Sequence, residues 1–416
     1  MAFSVERSPL RPSSSVEPVE LIVLHGPGAV VSICSFGATL VSIQLGGVEV
    51  APCHRGGTLP AALEARARNP YLGATIGRVA NRTAGSRVIG LAPGDADLAS
   101  LYANDGANSL HGGRAGFDAR AWRVEWARAA VGYASVALAR TSPAGEEGFP
   151  GALEARCVYT LAAGGEGGGG ARARLFIEHR ASVAAGQPPS PVSLCNHAYW
   201  ALCGAPGAPE ELPEGAALGH HLQLACSRLV PLRESDWLPP ADGSTRAVAD
   251  ASGAGGAGER GAQGALDFRR GATLQEKYDL LNSGGGAADL RRGFNAYLLV
   301  DGYAPPPSLR QLEDAAEGAV LPHASELLSR LRPLGTLRDP ASGRSLTMST
   351  TCPGVQLYTN FGYAPLAAAS TVCLETGWPP DTANTAFDVG GGVTLARSVL
   401  RAGEARSELT CHEFAW

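Results

Sequence analysis

The chain has 416 residues, with 34 Lys plus Arg against 39 Asp plus Glu, a net charge of −5 and 45% hydrophobic residues. This mild acidity disfavours nucleic acid as a partner, because nucleic acid is bound by a basic face, and it provides no attraction to anionic membranes. The nine cysteines include no C-x-x-C pair, so no zinc site of the usual spacing and no other metal centre is predicted.

No stretch is apolar for long enough to cross a bilayer, and the first twenty residues contain no apolar signal core. These features predict a cytoplasmic protein, and they leave open a short organelle transit segment.

Strand patterns dominate the chain from the N-terminus onward. They are short, apolar or alternating, and bounded by turn residues. The segments are VELIVL (19–24), AVVSICSF (29–36), YASVALART (133–141), CVYTLA (157–162), RLFIEHRASV (174–183), NAYLLVDG (295–302), SLTMSTT (345–351), GVQLYTNF (354–361) and STVCLET (370–376). Short strands separated by turns predict an antiparallel all-β sandwich or barrel. We expect a single domain over 1–416.

Three segments interrupt this pattern and are predicted to be insertions. Residues 162–173 are glycine-rich and predict a hairpin tip, and 249–265 have the composition of a surface loop. Residues 305–333 predict an inserted helical lobe, with Ser308 as a cap for a helix carrying Leu309 and Leu312. In the same lobe, leucines at 327, 328 and 331 recur at helical spacing.

Two polar motifs in the first third are too dense for ordinary packing. NPYLGATIGRVANRTAG (69–85) contains Asn81 and Arg82, and NDGANSLHGGRAGFDARAW (104–122) contains His111 before two glycines. Each has an ordinary explanation, since arginine is usually at the surface and glycines often mark a turn. The turn-like GEEGFPG (145–151) is uninformative alone.

PVSLCNHAYW (191–200) has the composition of a strand opened by proline. Side chains alternate across a strand, so Ser193, Cys195, His197 and Tyr199 are predicted to share one face, with Asn196 on the other. A lone histidine is more often structural than catalytic. A proton donor in a pocket is the competing interpretation.

Two later strands carry polar side chains on one face. In PGVQLYTNFGY (353–363), Gln356, Tyr358 and Asn360 share a face, and in VCLETGWPPDTAN (372–384) Glu375 lies within an otherwise apolar strand. A carboxylate there is costly unless it is hydrogen-bonded, paired or open to a cavity.

Together these segments resemble the aldose 1-epimerase, or galactose mutarotase, family. The matching segments are NPYLGATIGRVANR, NSLHGGRAGFD, GEEGFPG, PVSLCNHAYW, DFR (267–269), RGFNAYL, PGVQLYTNF and VCLETGWPPDTAN. The resemblance covers most of the chain and implies a large antiparallel β-supersandwich with a sugar site on one concave face. It also implies α/β interconversion of free hexoses such as galactose or glucose, without a cofactor.

The resemblance implies a role for each of seven residues. Glu375 matches the family's base and His197 its acid. The sugar ligands are matched by Asn81, Arg82, His111, Gln356 and Asn295. We also expect Trp200 or Trp378 to offer a stacking face, although no motif supports this. Asn295 departs from the pattern, because the family usually has GFDH where this chain has GFNAY, so substrate range and rate are open.

Two alternatives remain at this stage. A hexose-6-phosphate 1-epimerase would need clustered Arg or Lys beside the site. A sugar-binding homologue with weak catalysis is favoured by Asn295 and disfavoured by the presence of both His197 and Glu375. The expected partner is a small aldose, with no nucleic acid and no membrane, and the chain is expected to be a monomer or weak dimer.

Overall fold

The computed structural model describes residues 2–10, 18–51, 71–90, 96–164, 170–205, 212–250, 263–283, 293–304, 309–310, 329–360 and 366–416. Within these ranges the regular secondary structure is mainly β-strand. One α-helix, α1 (Leu274–Leu281), begins with a capping box in which Thr273 and Glu276 satisfy each other's backbone N–H groups.

The strands are numbered in chain order. The first third contains β1 (Ser4–Leu10), β2 (Val19–Gly26), β3 (Ala29–Cys34), β4 (Thr39–Leu45), β5 (Val48–Glu49), β6 (Thr75–Ile76), β7 (Arg82–Thr83), β8 (Arg87–Val88), β9 (Ala99–Ser100), β10 (Ser109–Leu110), β11 (Arg123–Ala130) and β12 (Tyr133–Ser142). The middle contains β13 (Leu153–Ala163), β14 (Arg172–Ser182), β15 (Ser190–Pro191), β16 (Cys195–Asn196), β17 (Tyr199–Trp200), β18 (His221–Leu224), β19 (Arg228–Val230), β20 (Arg246–Ala247) and β21 (Ala272–Thr273). The last part contains β22 (Asn295–Leu299), β23 (Leu309–Arg310), β24 (Arg332–Arg338), β25 (Ser345–Thr350), β26 (Gly354–Thr359), β27 (Val372–Gly377), β28 (Phe387–Gly390), β29 (Val393–Leu395), β30 (Val399–Leu400) and β31 (Glu404–Ala415).

Three large antiparallel sheets organise these strands. A five-stranded meander has the order β1-β2-β3-β4-β5, and a six-stranded sheet has the order β17-β27-β26-β22-β19-β20. The largest sheet has ten strands in the order β11-β12-β13-β14-β31-β25-β24-β18-β21, with β23 added beside β31. Each of the nine predicted strand segments lies on a strand of these sheets, so the all-β prediction is confirmed.

The six-stranded sheet packs one face against the ten-stranded sheet. The Trp200 ring lies 5.3 Å from that of His412 and 5.9 Å from that of Phe414, and the Thr376 and Thr410 hydroxyls are 2.6 Å apart. Trp200 is fully buried. Because side chains alternate along each strand, the opposite face of the six-stranded sheet is turned away from this core.

Two local predictions need correction. PVSLCNHAYW does not form one continuous strand but three short pairings, β15, β16 and β17. Its side chains still alternate, with Asn196, Ala198 and Trp200 on one side and His197 and Tyr199 on the other. Leu309, expected in a helix, lies in β23 and pairs with Ala405, because the long strand β31 offers it a free backbone edge there. In the second predicted helix of this lobe, Ser329 and Arg330 are helical, and most of the lobe lies outside the described residues.

The other two predicted insertions are described only in part. At the ends of 162–173, β13 and β14 pair with each other, with Ala163 opposite Ala173. Most of 249–265 lies outside the described residues. Of the helices that are described, none is long and apolar enough to cross a membrane.

Candidate active site

The outer face of the six-stranded sheet forms the floor of a cavity. Strand register places Tyr199, Cys373, Tyr358 and Asn295 in one lateral row across β17, β27, β26 and β22. In the next row Glu375 lies directly opposite Gln356. Residues paired laterally in a sheet point to the same side, so four strands contribute polar groups to one surface.

The cavity has a volume of about 310 Å³, within the range of small-molecule sites. Its lining combines hydrogen-bonding groups with aromatic rings. The lining residues are Tyr71, Asn81, Arg82, Asp105, Leu110, His111, His197, Tyr199, Trp237, Asn295, Gln356, Tyr358 and Glu375. All seven residues singled out in the sequence are therefore brought together in one place, although they span almost 300 positions of the chain.

The backbone of His197 is held on both sides. Its N–H donates to the carbonyl of Ala74, and its carbonyl accepts from the N–H of Gly73, at 2.9 and 2.8 Å. The imidazole stacks on the ring of Tyr199 with centroids 5.0 Å apart. His197 is thus fixed by backbone bonds and packing, as a positioned proton carrier requires.

His197 and Glu375 form a buried polar contact at the cavity floor. Nε2 of His197 lies 3.4 Å from Oε1 of Glu375, and each side chain is 6% exposed. The second carboxyl oxygen accepts from the Cys195 thiol at 3.8 Å. On the far side of the ring, Nδ1 of His197 lies 3.9 Å from Sγ of Cys373.

Burial moves the two pKa values in opposite directions. It raises the pKa of Glu375 to about 8, an effect that the Cys195 thiol partly offsets, and it lowers the pKa of His197 to about 4. Both shifts have the same cause, since a low dielectric disfavours the charged form of either group. Near neutral pH both groups are therefore mainly uncharged, and the one titratable proton of the pair resides on Glu375.

Asn81 and His111 flank the short ladder between β7 and β10. The backbone N–H of Asn81 donates to Nδ1 of His111, and the N–H of His111 donates to the Asn81 carbonyl, each at 3.1 Å. Burial, with smaller contributions from His197 and Arg82, lowers the pKa of His111 well below its usual value. Because a backbone N–H can only donate, the neutral ring carries its proton on Nε2.

A chain of side-chain amides crosses the cavity floor. The backbone N–H of Arg82 donates to Oδ1 of Asn81, and Nδ2 of Asn81 donates to Oε1 of Gln356 at 3.0 Å. Nε2 of Gln356 then donates to Oδ1 of Asn295 at 2.7 Å. Three residues from distant parts of the chain are thereby linked in one network with a defined direction.

Arg82 lies in the cavity wall and is not the exposed surface charge that an arginine most often is. Its side chain is 15% exposed, and Nε lies 2.6 Å from Oδ2 of Asp105. Trp237 and Tyr71 complete this part of the lining.

Backbone strain is concentrated at the cavity. Of the nine non-glycine residues with positive φ in the described ranges, four line it: Tyr71, Asn81, His111 and Trp237, with φ between 53° and 63°. A left-handed backbone is unfavourable for these side chains and is retained where the surrounding structure enforces it, often at a functional site.

The motif GEEGFPG is explained by a residue outside the cavity. The Arg78 guanidinium, 1% exposed, donates to the carbonyls of Ser142, Pro143, Pro150 and Gly151 at 2.8–3.0 Å. These carbonyls lie at the two ends of the motif's turn. Arg78 therefore ties the motif to the segment that carries Asn81 and Arg82, a structural role for which the sequence offered no clear signal.

His197, Cys373 and Glu375 could in principle provide ligands to a metal ion, since their ligand atoms lie within 4.8 Å of one another. The closest approaches use opposite sides of the imidazole, however: Nδ1 faces the thiol and Nε2 the carboxyl group. One ion cannot occupy both sides of the ring, so this arrangement fits hydrogen-bonded neighbours better than a coordination sphere.

The sequence interpretation missed part of the lining and was wrong about the tryptophans. Trp200 and Trp378 are buried in packed clusters and do not border the cavity. The bordering aromatic side chains are Tyr71, Tyr199, Trp237 and Tyr358. Strand alternation with His197 and Gln356 could have identified Tyr199 and Tyr358, whereas Trp237 lies in a loop without a recognisable motif.

Comparison with known proteins places these observations in context. Residues 20–246 match the family model described as aldose 1-epimerase. Aldose 1-epimerase of Escherichia coli is 33% identical over 221 residues, which cover 52% of this chain and 56% of that protein. Galactose mutarotase of Mus musculus is 30% identical over 361 residues, covering 84% of this chain and 80% of that protein.

Solved structures agree on the fold. Galactose 1-epimerase from Lactobacillus acidophilus has a TM-score of 0.70 over 99% of both chains at 20% identity. An aldose epimerase homologue from C. elegans has a TM-score of 0.62 at 22% identity, covering 93% of this chain and 95% of that one. The predicted galactose mutarotase-like β-supersandwich is confirmed by these similarities.

Proposed function

The chain belongs to the aldose 1-epimerase family of isomerases, and from this premise we propose that it interconverts the α and β anomers of a free aldose. Galactose and glucose are the substrates we propose first. The observation that carries the proposal is the buried contact between His197 and Glu375 on the floor of a polar cavity.

Mutarotation requires two coordinated proton transfers at one carbon. The hydroxyl on C1 loses a proton while the ring oxygen gains one, the ring opens to an aldehyde, and rotation about C1–C2 allows closure on the other face. In this proposal Glu375 takes the proton from the C1 hydroxyl and His197 donates to the ring oxygen. Ring closure reverses both roles, and each group contributes roughly 10²–10⁴ in rate.

The spacing of the pair suits this reaction. The C1 hydroxyl and the ring oxygen are attached to the same carbon, so their two partners must also be close neighbours. Nε2 of His197 and Oε1 of Glu375 are 3.4 Å apart, so adjacent oxygens of one hemiacetal can reach both.

The titratable proton of the pair must move before ring opening. It resides on Glu375, whose pKa is the higher. A sugar hydroxyl that donates to the carboxylate stabilises the ionised form of Glu375, and a ring oxygen that accepts from His197 stabilises the imidazolium. Sugar binding therefore favours proton transfer from Glu375 to His197 and prepares the base and the acid together.

The lining favours a free sugar over a sugar phosphate. Phosphate binding calls for clustered Arg or Lys. Among the described residues that line the cavity, Arg82 is the only Arg or Lys, and Asp105 already pairs with it. Apart from Leu110 and the catalytic candidate Glu375, the remaining lining groups are neutral donors, acceptors and aromatic rings, which suit hydroxyl groups.

Polarimetry of freshly dissolved α-D-galactose and α-D-glucose tests the proposal directly. The purified protein should accelerate the approach to equilibrium rotation, and Glu375→Gln should reduce kcat about 10²-fold or more because it removes the base and keeps the shape. The alternatives make different predictions. Catalysis of glucose 6-phosphate alone would indicate the phosphate enzyme, and tight galactose binding without turnover would indicate a binding protein.

A further inference from the structure

The orientation of the amides on the cavity floor is fixed by the backbone. The N–H of Arg82 can only donate, so the atom of Asn81 that receives it is Oδ1. Nδ2 of Asn81 must then donate, and its partner on Gln356 is the carbonyl oxygen. The amide nitrogen of Gln356 donates in turn, which requires Oδ1 of Asn295 as the acceptor. Reversing any of these amides would place two donors or two acceptors face to face.

The last amide group therefore presents a donor. The carbonyl oxygen of Asn295 is engaged by Gln356, and within the described part of the chain no hydrogen bond involves its Nδ2. Asn295 lines the cavity and is only partly buried. Its NH₂ group is thus available to a ligand.

We propose that Asn295 determines specificity by reading one ring substituent of the sugar as a hydrogen-bond acceptor. The substituent needs a lone pair and needs no proton. The substrate class then includes aldoses in which a hydroxyl at that position is replaced by a carbonyl, ether or fluoro group. This inference rests on the proposed function and defines the substrates of the same site.

Two substitutions reverse the hydrogen-bonding character of this position by different routes. Asn295→Asp replaces the donor by a carboxylate that can only accept. Gln356→Glu leaves residue 295 unchanged, but the new carboxylate accepts from Asn81 and also from Asn295. The Asn295 amide must then turn and present its carbonyl oxygen to the cavity. Either variant should demand a substrate that donates a proton at this position.

The experiment uses galactose and its monodeoxyfluoro derivatives at carbons 2, 3, 4 and 6. Fluorine accepts weakly and cannot donate. For each protein, kcat/KM for the fluorosugar is divided by kcat/KM for galactose, and the ratios are compared between parent and variants, which cancels the intrinsic reactivity of each sugar. For the derivative whose fluorine faces residue 295, the ratio should fall about tenfold or more in both variants, because an acceptor then meets an acceptor.

Each outcome bears on the proposal. Equal ratios in all three proteins for all four derivatives would overturn it. If one variant does not fold, judged by circular dichroism, the other decides alone. If the parent does not mutarotate galactose or glucose, the proposed function fails. The same comparison is then made by calorimetric binding of galactose and the fluorosugars, where a change in preference in the variants still supports the donor role of Asn295.

Discussion

His197 and His412 lie on opposite sides of the six-stranded sheet and share two properties. They are 5% and 4% exposed, and burial lowers the pKa of each to about 4. His197 borders a cavity of about 310 Å³ and contacts Glu375. His412 borders a gap of about 10 Å³ between the packed sheets, and its Nδ1 makes no hydrogen bond with any described residue.

The comparison shows that a strongly lowered pKa does not by itself identify a catalytic histidine. Desolvation acts equally on both rings. What differs is access and partnership. His197 borders a space large enough for a sugar and contacts the carboxyl group of Glu375, whereas His412 bonds to the Leu175 backbone and borders only a narrow gap that His179 also lines. The cavity and the contact with Glu375, and not the pKa, distinguish His197 from His412.

The largest expected effect is on kcat/KM, which should depend on His197 but not on His412. His197→Asn should lower kcat/KM for galactose by about 10²–10⁴, since it removes a proton carrier. His412→Gln, the matched control on the other face of the sheet, should leave kcat/KM within about threefold. Initial rates of mutarotation, measured by polarimetry with both folded variants, test this expectation. Equal losses of kcat/KM in the two variants would mean that His197 has no catalytic role that His412 lacks.

The second effect concerns stability in acid. The folded pKa of His412 is depressed, so its contribution to stability is present above about pH 6.5 and is lost as the pH falls toward 4. The loss is on the order of 3 kcal/mol. In His412→Gln, the slope of the unfolding free energy against pH in this window should decrease by about 1.4 kcal/mol per pH unit.

Urea unfolding at several pH values measures that slope. The pKa of His197 is lowered to a similar value, so His197→Asn is expected to reduce the slope of the unfolding free energy against pH by a similar amount. An unchanged slope in His412→Gln would mean that folding does not lower the pKa of this ring.

The third effect is the pH dependence of catalysis. The proposed mechanism needs the His197–Glu375 pair to hold one titratable proton. Below about pH 4 the pair takes up a second titratable proton and loses its base, and above about pH 8 it loses the first and has no acid. We expect kcat/KM to be flat between these values and to fall tenfold per pH unit beyond them. In His412→Gln the pH dependence of kcat/KM should be unchanged. A shift of either pH limit would mean that His412 influences the His197–Glu375 pair across the sheet.

The smallest effect distinguishes the two histidines within the cavity. Nδ1 of His111 accepts from the backbone N–H of Asn81, so the ring proton is on Nε2 and we assign His111 to binding. His111→Phe keeps the ring that packs against Tyr71 and should raise KM about 5–30-fold, as expected for lost hydrogen bonds. Steady-state kinetics should show kcat within about threefold of the parent, and a large fall in kcat at constant KM would assign His111 to the chemistry.

The sequence predicted the architecture best where side chains alternate clearly. Leu175 and Ile177 in β14, like Val355 and Leu357 in β26, form buried faces typical of strands. β31 escaped prediction although it lies in the middle of the ten-stranded sheet. It buries Glu408 and His412, and such residues obscure an apolar pattern.

For the site, the sequence predicted which residues meet but not how they are arranged. Resemblance identified Asn81, Gln356 and Asn295, and all three line one cavity. The direction of their hydrogen bonds depends on the backbone N–H of Arg82, which enters only when the chain is folded. The Trp200 and Trp378 expectation failed because large aromatic side chains fill a core as readily as they stack on sugars.

The register of β27 also determines where the length of this chain can change. Adding one residue to the strand would exchange its two faces and place Leu374 or Thr376 where Glu375 meets Gln356. Adding two would restore the face but displace the carboxyl group by about 6.6 Å, roughly twice the 3.4 Å that separates it from His197. The central strands therefore tolerate no insertion or deletion that shifts their register. Natural length variation or engineered insertions fit in the connections between strands, such as the one that joins β13 to β14.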